Sequence, residues 1–248
     1  MRNTNKVMVV ELVLGIALSL GMNVALHSAG WAKKSKPADP KPLVIGDAMQ
    51  IQGTAGELDA GQVERLFREH QPELRRCYDD VSSQFHYVGG RMQVKVVVLP
   101  SGQIKTVTIP ESNIGCREVE RCVAGVIEKL HFPVPKGGEG EVTYPFECAA
   151  RTRVGSWQSE RIAAQLGKRR SGITSCKGKA GSAPVSALHA TLYVGPGGKA
   201  TSVGFSADLP LDEKLTSCVS KQLLGVQYDD PLGQMVKVTF DLGNLQTP

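Results

Sequence analysis

Aromatic residues are scarce, 5 % of the 248-residue chain, with only two Trp among them. That leaves little material for base-stacking platforms or for a carbohydrate cleft walled by Trp. Charge of one sign is scarce too. Lys plus Arg number 29 against 24 Asp plus Glu, a formal +5, which is too mild to argue for nucleic-acid binding. The six cysteines form no Cys-x-x-Cys, and no His sits near them at zinc-ligand spacing. Thioredoxin-like and metal readings therefore lack their ligands, and no cofactor is implied. Gly-x-Ser-x-Gly, His-Glu-x-x-His and Walker loops are missing, and with them the common hydrolase and nucleotide-binding signatures.

What is present begins with an export pattern. Arg2 and Lys6 precede residues 7–26, an apolar run broken by Glu11 and Asn23, and small residues follow it. A basic start, an apolar run and small residues read as a signal peptide over residues 1–32, cut after Ala32. The rival is a retained anchor, since about 20 apolar residues span a bilayer. Glu11 argues against the anchor, because a carboxylate in lipid is costly. No Cys stands directly after the run, where residues 27–32 read HSAGWA, which excludes a lipoprotein. Either way the rest is exported to the periplasm or cell envelope, inner-membrane anchored if the segment is retained. Membrane contact is then confined to that segment.

Export gives the cysteines meaning. Cys77, Cys116, Cys122, Cys148, Cys176 and Cys218 all follow the apolar run. An even count in an oxidising compartment favours disulfides.

Residues 33–56 are rich in Pro, Lys, Asp and Gly and lack periodicity; they read as a flexible linker. Beyond them the chain repeats at a shift of 96. Glu64-Arg65 falls on Glu160-Arg161, Pro100 on Pro196, Cys122-Val123 on Cys218-Val219, and Val142-Thr143-Tyr144 on Val238-Thr239-Phe240. Cys77 matches Cys176 at a shift of 99. Two domains follow, residues 57–148 and residues 157–243, the second degenerate.

Each copy reads helix, strand, turn, strand, helix, strand. Val63, Leu66, Phe67, His70, Leu74, Cys77 and Tyr78 form an amphipathic stripe. Asp59 and Gln62 suit its capped start, and Pro72 predicts a kink or restart. Residues 91–98 alternate as a half-buried strand, residues 99–102 make a turn, and residues 103–109 return. Val119 to Leu130 carry a second helical stripe, and residues 141–146 form the last strand. In copy two the strands fall at 186–194, 199–205 and 235–242, with helices from about Ser159 and over 211–224. The expected fold is α+β: two tandem α-β-β-α-β units, each a three-stranded sheet with two helices on one face.

Cys77 and Cys122 lie on the buried stripes of the two helices in copy one, as Cys176 and Cys218 do in copy two. The expected bridges are Cys77–Cys122 and Cys176–Cys218. Such staples suit units of about 90 residues, whose cores are marginal. Cys116 and Cys148 have no counterpart in copy two. They follow strands two and three, which end at the same side of the sheet about two strand spacings, roughly 10 Å, apart, so a third bridge is expected with the loop bending inward to close that gap.

These residues carry a resemblance. LDAGQVERLFREHQPELRRCYD, then GRMQVKVVVLPSGQIKTVTIPESNIG, EVERCV, FPVPKGG and VTYPF resemble, in order, the AgmX/PglI C-terminal domain family over residues 58–146. The resemblance extends through the repeat to residues 157–242. That family is similar to the C-terminal domains of TonB and TolA, envelope proteins that grip partners in the periplasm, and takes its name from gliding-motility proteins. The resemblance implies an α+β domain and a binding role. The chain departs from full transducers in two ways. Its 24-residue linker reaches ~80 Å at most, and Asn23 stands four residues after Ser19 where their anchors resemble one another in a Ser–His pair.

The expected function is non-enzymatic: a protein-binding or scaffold module. A small sheet has edges that accept a partner's extended segment as an added strand. The candidate edge is Glu141, Val142, Thr143, Tyr144 and Phe146, with residues 103–109 as the other. If the copies join sheets, one edge in each is consumed and a scaffold role gains weight. The expected partner is an envelope protein or peptide segment. The alternative is a small exported enzyme whose active site the sequence does not identify. Gly195-Pro196-Gly197-Gly198-Lys199 reads as a hairpin turn rather than a phosphate loop, His70 as a packing residue, and Asp79-Asp80 and Asp229-Asp230 as loop acids. Arg65, Arg68, Arg75 and Arg76 read as a solvated helix face.

Overall fold

The computed structural model describes residues 56–243, together with the backbone of residues 44–45 and 50–51. The export segment, 1–32, lies outside the described residues. In order the elements are β1 (Val44–Ile45), β2 (Gln50–Ile51), α1 (Ala60–Glu69), α2 (Gln71–Ser82), β3 (Gly90–Val98), β4 (Ile104–Ser112), α3 (Arg117–Ile127), β5 (Gly140–Cys148), β6 (Gly155–Ser156), α4 (Glu160–Gly167), α5 (Arg170–Thr174), β7 (His189–Val194), β8 (Ala200–Ser206), α6 (Glu213–Leu224) and β9 (Val236–Asp241). The fold is α+β. One sheet is antiparallel, β5-β3-β4, with β1 and β2 on the far side of β5. The other is mixed, β6-β9-β7-β8.

Local chemistry explains the boundaries. The Asp59 carboxylate accepts from the Gln62 N–H at 2.9 Å and caps α1. The long stripe comes as two helices. The chain breaks at His70, whose Nδ1 lies 2.9 Å from the Leu66 carbonyl, and Pro72 sits in the first turn of α2, where its missing N–H leaves no bond unmade. β3 alternates buried and partly exposed positions along its length. β4 runs three residues past the expected end, to Ser112. In the second half, a 3₁₀ turn over Val185–Ala187 follows Pro184 and delays the strand expected from residue 186 until His189. Between β7 and β8 the Gly197 and Gly198 backbones are left-handed, φ +71° and +72°. That is a hairpin turn, as the sequence predicts.

Both helix-to-helix disulfides are present. Cys77–Cys122 joins α2 to α3 across 45 residues, with Cα atoms 5.5 Å apart. Cys176–Cys218 joins the residue just past the C-cap of α5, rather than the helix expected there, to α6 across 42 residues, at 5.8 Å. Chain entropy gives each roughly 4 kcal/mol as an upper figure. The third expected bridge is absent: Cys116 and Cys148 are buried free thiols. The reason is topological. β4 and β5 flank β3 on opposite sides, and Cys116 is committed to the N-cap of α3. Two strand spacings exceed the Cα separation of about 7 Å that a disulfide tolerates.

The halves meet through a polar seam. β7 and β8 are buried along almost their whole length. One face holds their own helices; the other receives the Gly89 turn and residues 113–120 of the first half. Ser202 Oγ donates to the Gly115 carbonyl at 2.7 Å. Lys237 Nζ donates to the carbonyls of Gly89 and Asn113, at 2.7 and 2.9 Å. A Cβ on Gly204 would stand 2.7 Å from the Cys116 backbone nitrogen and would also crowd the Glu120 carboxylate, so this contact requires glycine. Tyr193, from β7, lies within the first half's core cluster.

Candidate functional site

The sequence points to sheet edges, and the structure shows what meets each of them. The inner side of β5 pairs with β3 from Gly90↔Cys148 to Val98↔Gly140. Its outer side is met by the chain itself. Val44 and Ile45 oppose Glu147 and Phe146, and Gln50 and Ile51 oppose Thr143 and Val142, antiparallel in both cases. Four residues of the expected linker 33–56 are thus strand, and the rest of that segment before Gly56 lies outside the described residues.

The candidate residues divide by face. Val142, Tyr144 and Phe146 are buried, at 0, 2 and 1 % exposure. Tyr144 stacks on Phe67 of α1 with ring centroids 3.7 Å apart. These aromatic side chains belong to the core, so the edge offers backbone there. Glu141 faces the other way and pairs with Lys95 at 2.8 Å; Thr143 is half-buried. Pro145, between them, carries no N–H. Sheets confine proline to edges where that missing donor faces outward, and β1 and β2 pair on either side of it.

The other edges are partly closed. On β4, the Ile109 carbonyl accepts from the Ala207 N–H at 2.7 Å, so the halves do join edge to edge at one point. On β8, the Phe205 N–H donates to Glu120 Oε2 at 2.7 Å. A carboxylate replaces a neighbouring strand there. Glu120 is buried and its Oε1 lies 2.6 Å from the Ser112 hydroxyl. Burial pushes its pKa up to about 8, against the opposing pull of Ser112 and the Phe205 N–H. On β9, β6 adds in parallel at Val236 and Lys237.

Two hollows accompany the seam. A groove of about 690 Å³ lies where the two sheets meet, between Arg91, Glu111 and Glu147 on one side and His189 and Thr239 on the other. A crevice of about 320 Å³ runs beside β4, lined by Val107, Ile109, Glu120, Arg121 and Glu213. Glu213 pairs with both Arg117 and Arg121, at 3.2 and 2.9 Å. Among the described residues no three His, Cys, Asp or Glu side chains cluster to hold a metal, and no helix is long and apolar enough to cross a membrane. Of the expected loop acids, Asp79 and Asp80 lie instead on α2, whose helix continues to Ser82, while Asp230 is in a loop and accepts from the Gly197 and Leu232 amides at 3.1 and 2.9 Å.

Sequence reasoning missed the seam, Glu120 at the β8 edge, and the strands β1, β2 and β6. Strands of two residues carry no periodicity. The seam left one signal, the run from Ala190 to Val194, which does not alternate between polar and apolar and so belongs to a strand buried on both faces. No protein-family model, no curated protein and no solved structure matches the chain. Its two disulfides mark an oxidising compartment.

Proposed function

We propose that the chain is a non-enzymatic, exported protein of the periplasm or cell envelope that binds a partner protein by strand addition to β5. One observation carries this reading: the outer edge of β5 already takes extended backbone, from residues 44–45 and 50–51, in antiparallel register. An open edge donates and accepts main-chain hydrogen bonds, which give affinity without a preformed pocket.

The finer fold reading is that of two tandem α-β-β-α-β copies similar to the AgmX/PglI C-terminal domain family, and through it to TonB and TolA. It is supported by the shared strand order, β5-β3-β4 and β9-β7-β8, and by one helix-to-helix disulfide in each half. In this reading the first copy binds and the second serves as its scaffold, since β8 spends its outer edge on Ile109 and Glu120 of the first half. A place in a gliding-motility or envelope-transport assembly follows from the same resemblance.

The test is a photo-crosslinking residue at Thr143, on the edge, against one at Glu64, on the exposed face of α1, in intact cells. An adduct with one envelope protein from position 143 and none from position 64 is the expected result. No adduct from 143, or equal adducts from both, overturns the reading.

A further inference from the structure

The edge of β5 is also described by what occupies it. We infer that this edge selects antiparallel extended segments carrying branched apolar residues six positions apart, and that β1 and β2, residues 44–45 and 50–51, are its built-in competitor. The inference rests on the strand-addition reading above.

Register gives the selection rule. Opposed residues of an antiparallel pair share one face of the sheet. Positions 45 and 51 oppose Phe146 and Val142, whose side chains are on the core face at 1 and 0 % exposure. Both positions are isoleucine. Positions 44 and 50 oppose Glu147 and Thr143, on the outer face, where a polar residue such as Gln50 is at no disadvantage. The core-face positions of a visiting segment therefore call for branched apolar side chains, which suit a pleated, half-buried surface.

Pro145 gives the spacing. Positions 45 and 51 are six apart in the segment, while 142 and 146 are four apart in β5. The two paired stretches of the segment are thus two positions further apart in sequence than their partners in β5, and Pro145 lies between those partners. With no donor there, an unbroken ladder gains nothing by crossing it. A partner that fits has two short extended stretches joined by a slack middle.

The tether gives the competition. Residue 51 is followed closely by Glu57, which is pinned by paired bonds with Lys136, Glu57 N–H to Lys136 O at 2.8 Å and Lys136 N–H to Glu57 O at 2.9 Å. A segment held by so short a connection meets its own edge at an effective concentration of millimolar order. An outside partner must exceed that, so binding is held back until the segment is displaced.

The experiment uses a labelled peptide of residues 42–53 and the full-length chain with its disulfides intact. It compares wild type with Ile45→Asp/Ile51→Asp and with the milder Ile45→Ser/Ile51→Ser, each checked for an unchanged core by thermal unfolding. Both variants should bind the peptide at least about tenfold tighter than wild type, because the tethered competitor is gone. A peptide with Asp at both isoleucine positions should bind none of the three. Equal peptide affinity for wild type and variants overturns the competitor while leaving strand addition in place. An Asp peptide that binds as well as the parent overturns the selection rule. A parent peptide that binds no chain overturns strand addition itself.

Discussion

The Tyr193 hydroxyl donates to the carbonyl of Gly89 at 2.9 Å and accepts from the Gly89 N–H at 3.1 Å. Two residues 104 positions apart thus satisfy one backbone unit completely, and they tie the second sheet to the turn that precedes β3. Burial holds the phenol well above its usual pKa, so it stays protonated and able to donate. Tyr193→Phe keeps the ring and strands the Gly89 N–H. The expected cost is about 1–3 kcal/mol, that of a buried donor left unpaired. Chemical denaturation measures it; a change below about 0.5 kcal/mol, the range of inert surface substitutions, means the halves do not depend on this contact.

Glu120 makes the seam sensitive to pH. Its pKa rises from the ordinary 4.5 to about 8 through burial, so the folded chain holds the proton more tightly than the unfolded one. That stabilisation is complete below about pH 4.5 and is lost as pH climbs through 8. Glu120→Gln stays neutral, keeps an acceptor for the Phe205 N–H and turns a donor toward Ser112. Thermal melts from pH 4 to 9 should show the wild type falling away from the variant by a few kcal/mol as the carboxyl ionises. Parallel curves would contradict a buried, neutral Glu120.

The free thiols give a count. Burial pushes Cys116 and Cys148 up to about 12, which leaves almost no thiolate at neutral pH. Alkylation of the native, unreduced chain should label neither, and alkylation after unfolding without reductant should label both. Labelling of neither after unfolding would restore the third bridge that the topology argues against.

The two disulfides bear on stability unequally. Cys77→Ser/Cys122→Ser and Cys176→Ser/Cys218→Ser each remove about 4 kcal/mol by the chain-entropy account. The second half lacks long helices before its bridge, since α4 and α5 span eight and five residues. Its double variant should therefore unfold at the lower temperature of the two in calorimetry. The reverse order would show that the first bridge carries the molecule.

Much of this was legible in the residues. Helical periodicity together with the even cysteine count of an exported chain gave the pairs Cys77–Cys122 and Cys176–Cys218, although Cys122 is exposed rather than on a buried stripe and Cys176 falls just past the end of α5. Asp59 announced the start of α1, and Pro72 its break from α2. The edge residues Glu141 to Phe146 fell on a strand because Val142, Tyr144 and Phe146 alternate with polar neighbours. What covers that edge was not legible. Val44, Ile45, Gln50 and Ile51 lie in a stretch whose Pro, Asp and Gly content reads as linker, and their pairing is set by a tertiary neighbour. Glu120 was equally hidden, since an acid within a helical stripe gives no sign that its carboxylate meets the edge strand of the other half's sheet.

The most direct measurement is a covalent lock. Gln50 and Thr143 are directly opposed, at the Cα spacing of about 4.5–5.5 Å found in antiparallel pairs and usable by a disulfide. Gln50→Cys/Thr143→Cys should form an added bridge that holds β2 on β5. The locked chain is expected to lose binding of the 42–53 peptide, while the single variants Gln50→Cys and Thr143→Cys keep it. A locked chain that binds the peptide as tightly as the single variants would place partner binding somewhere other than the edge of β5.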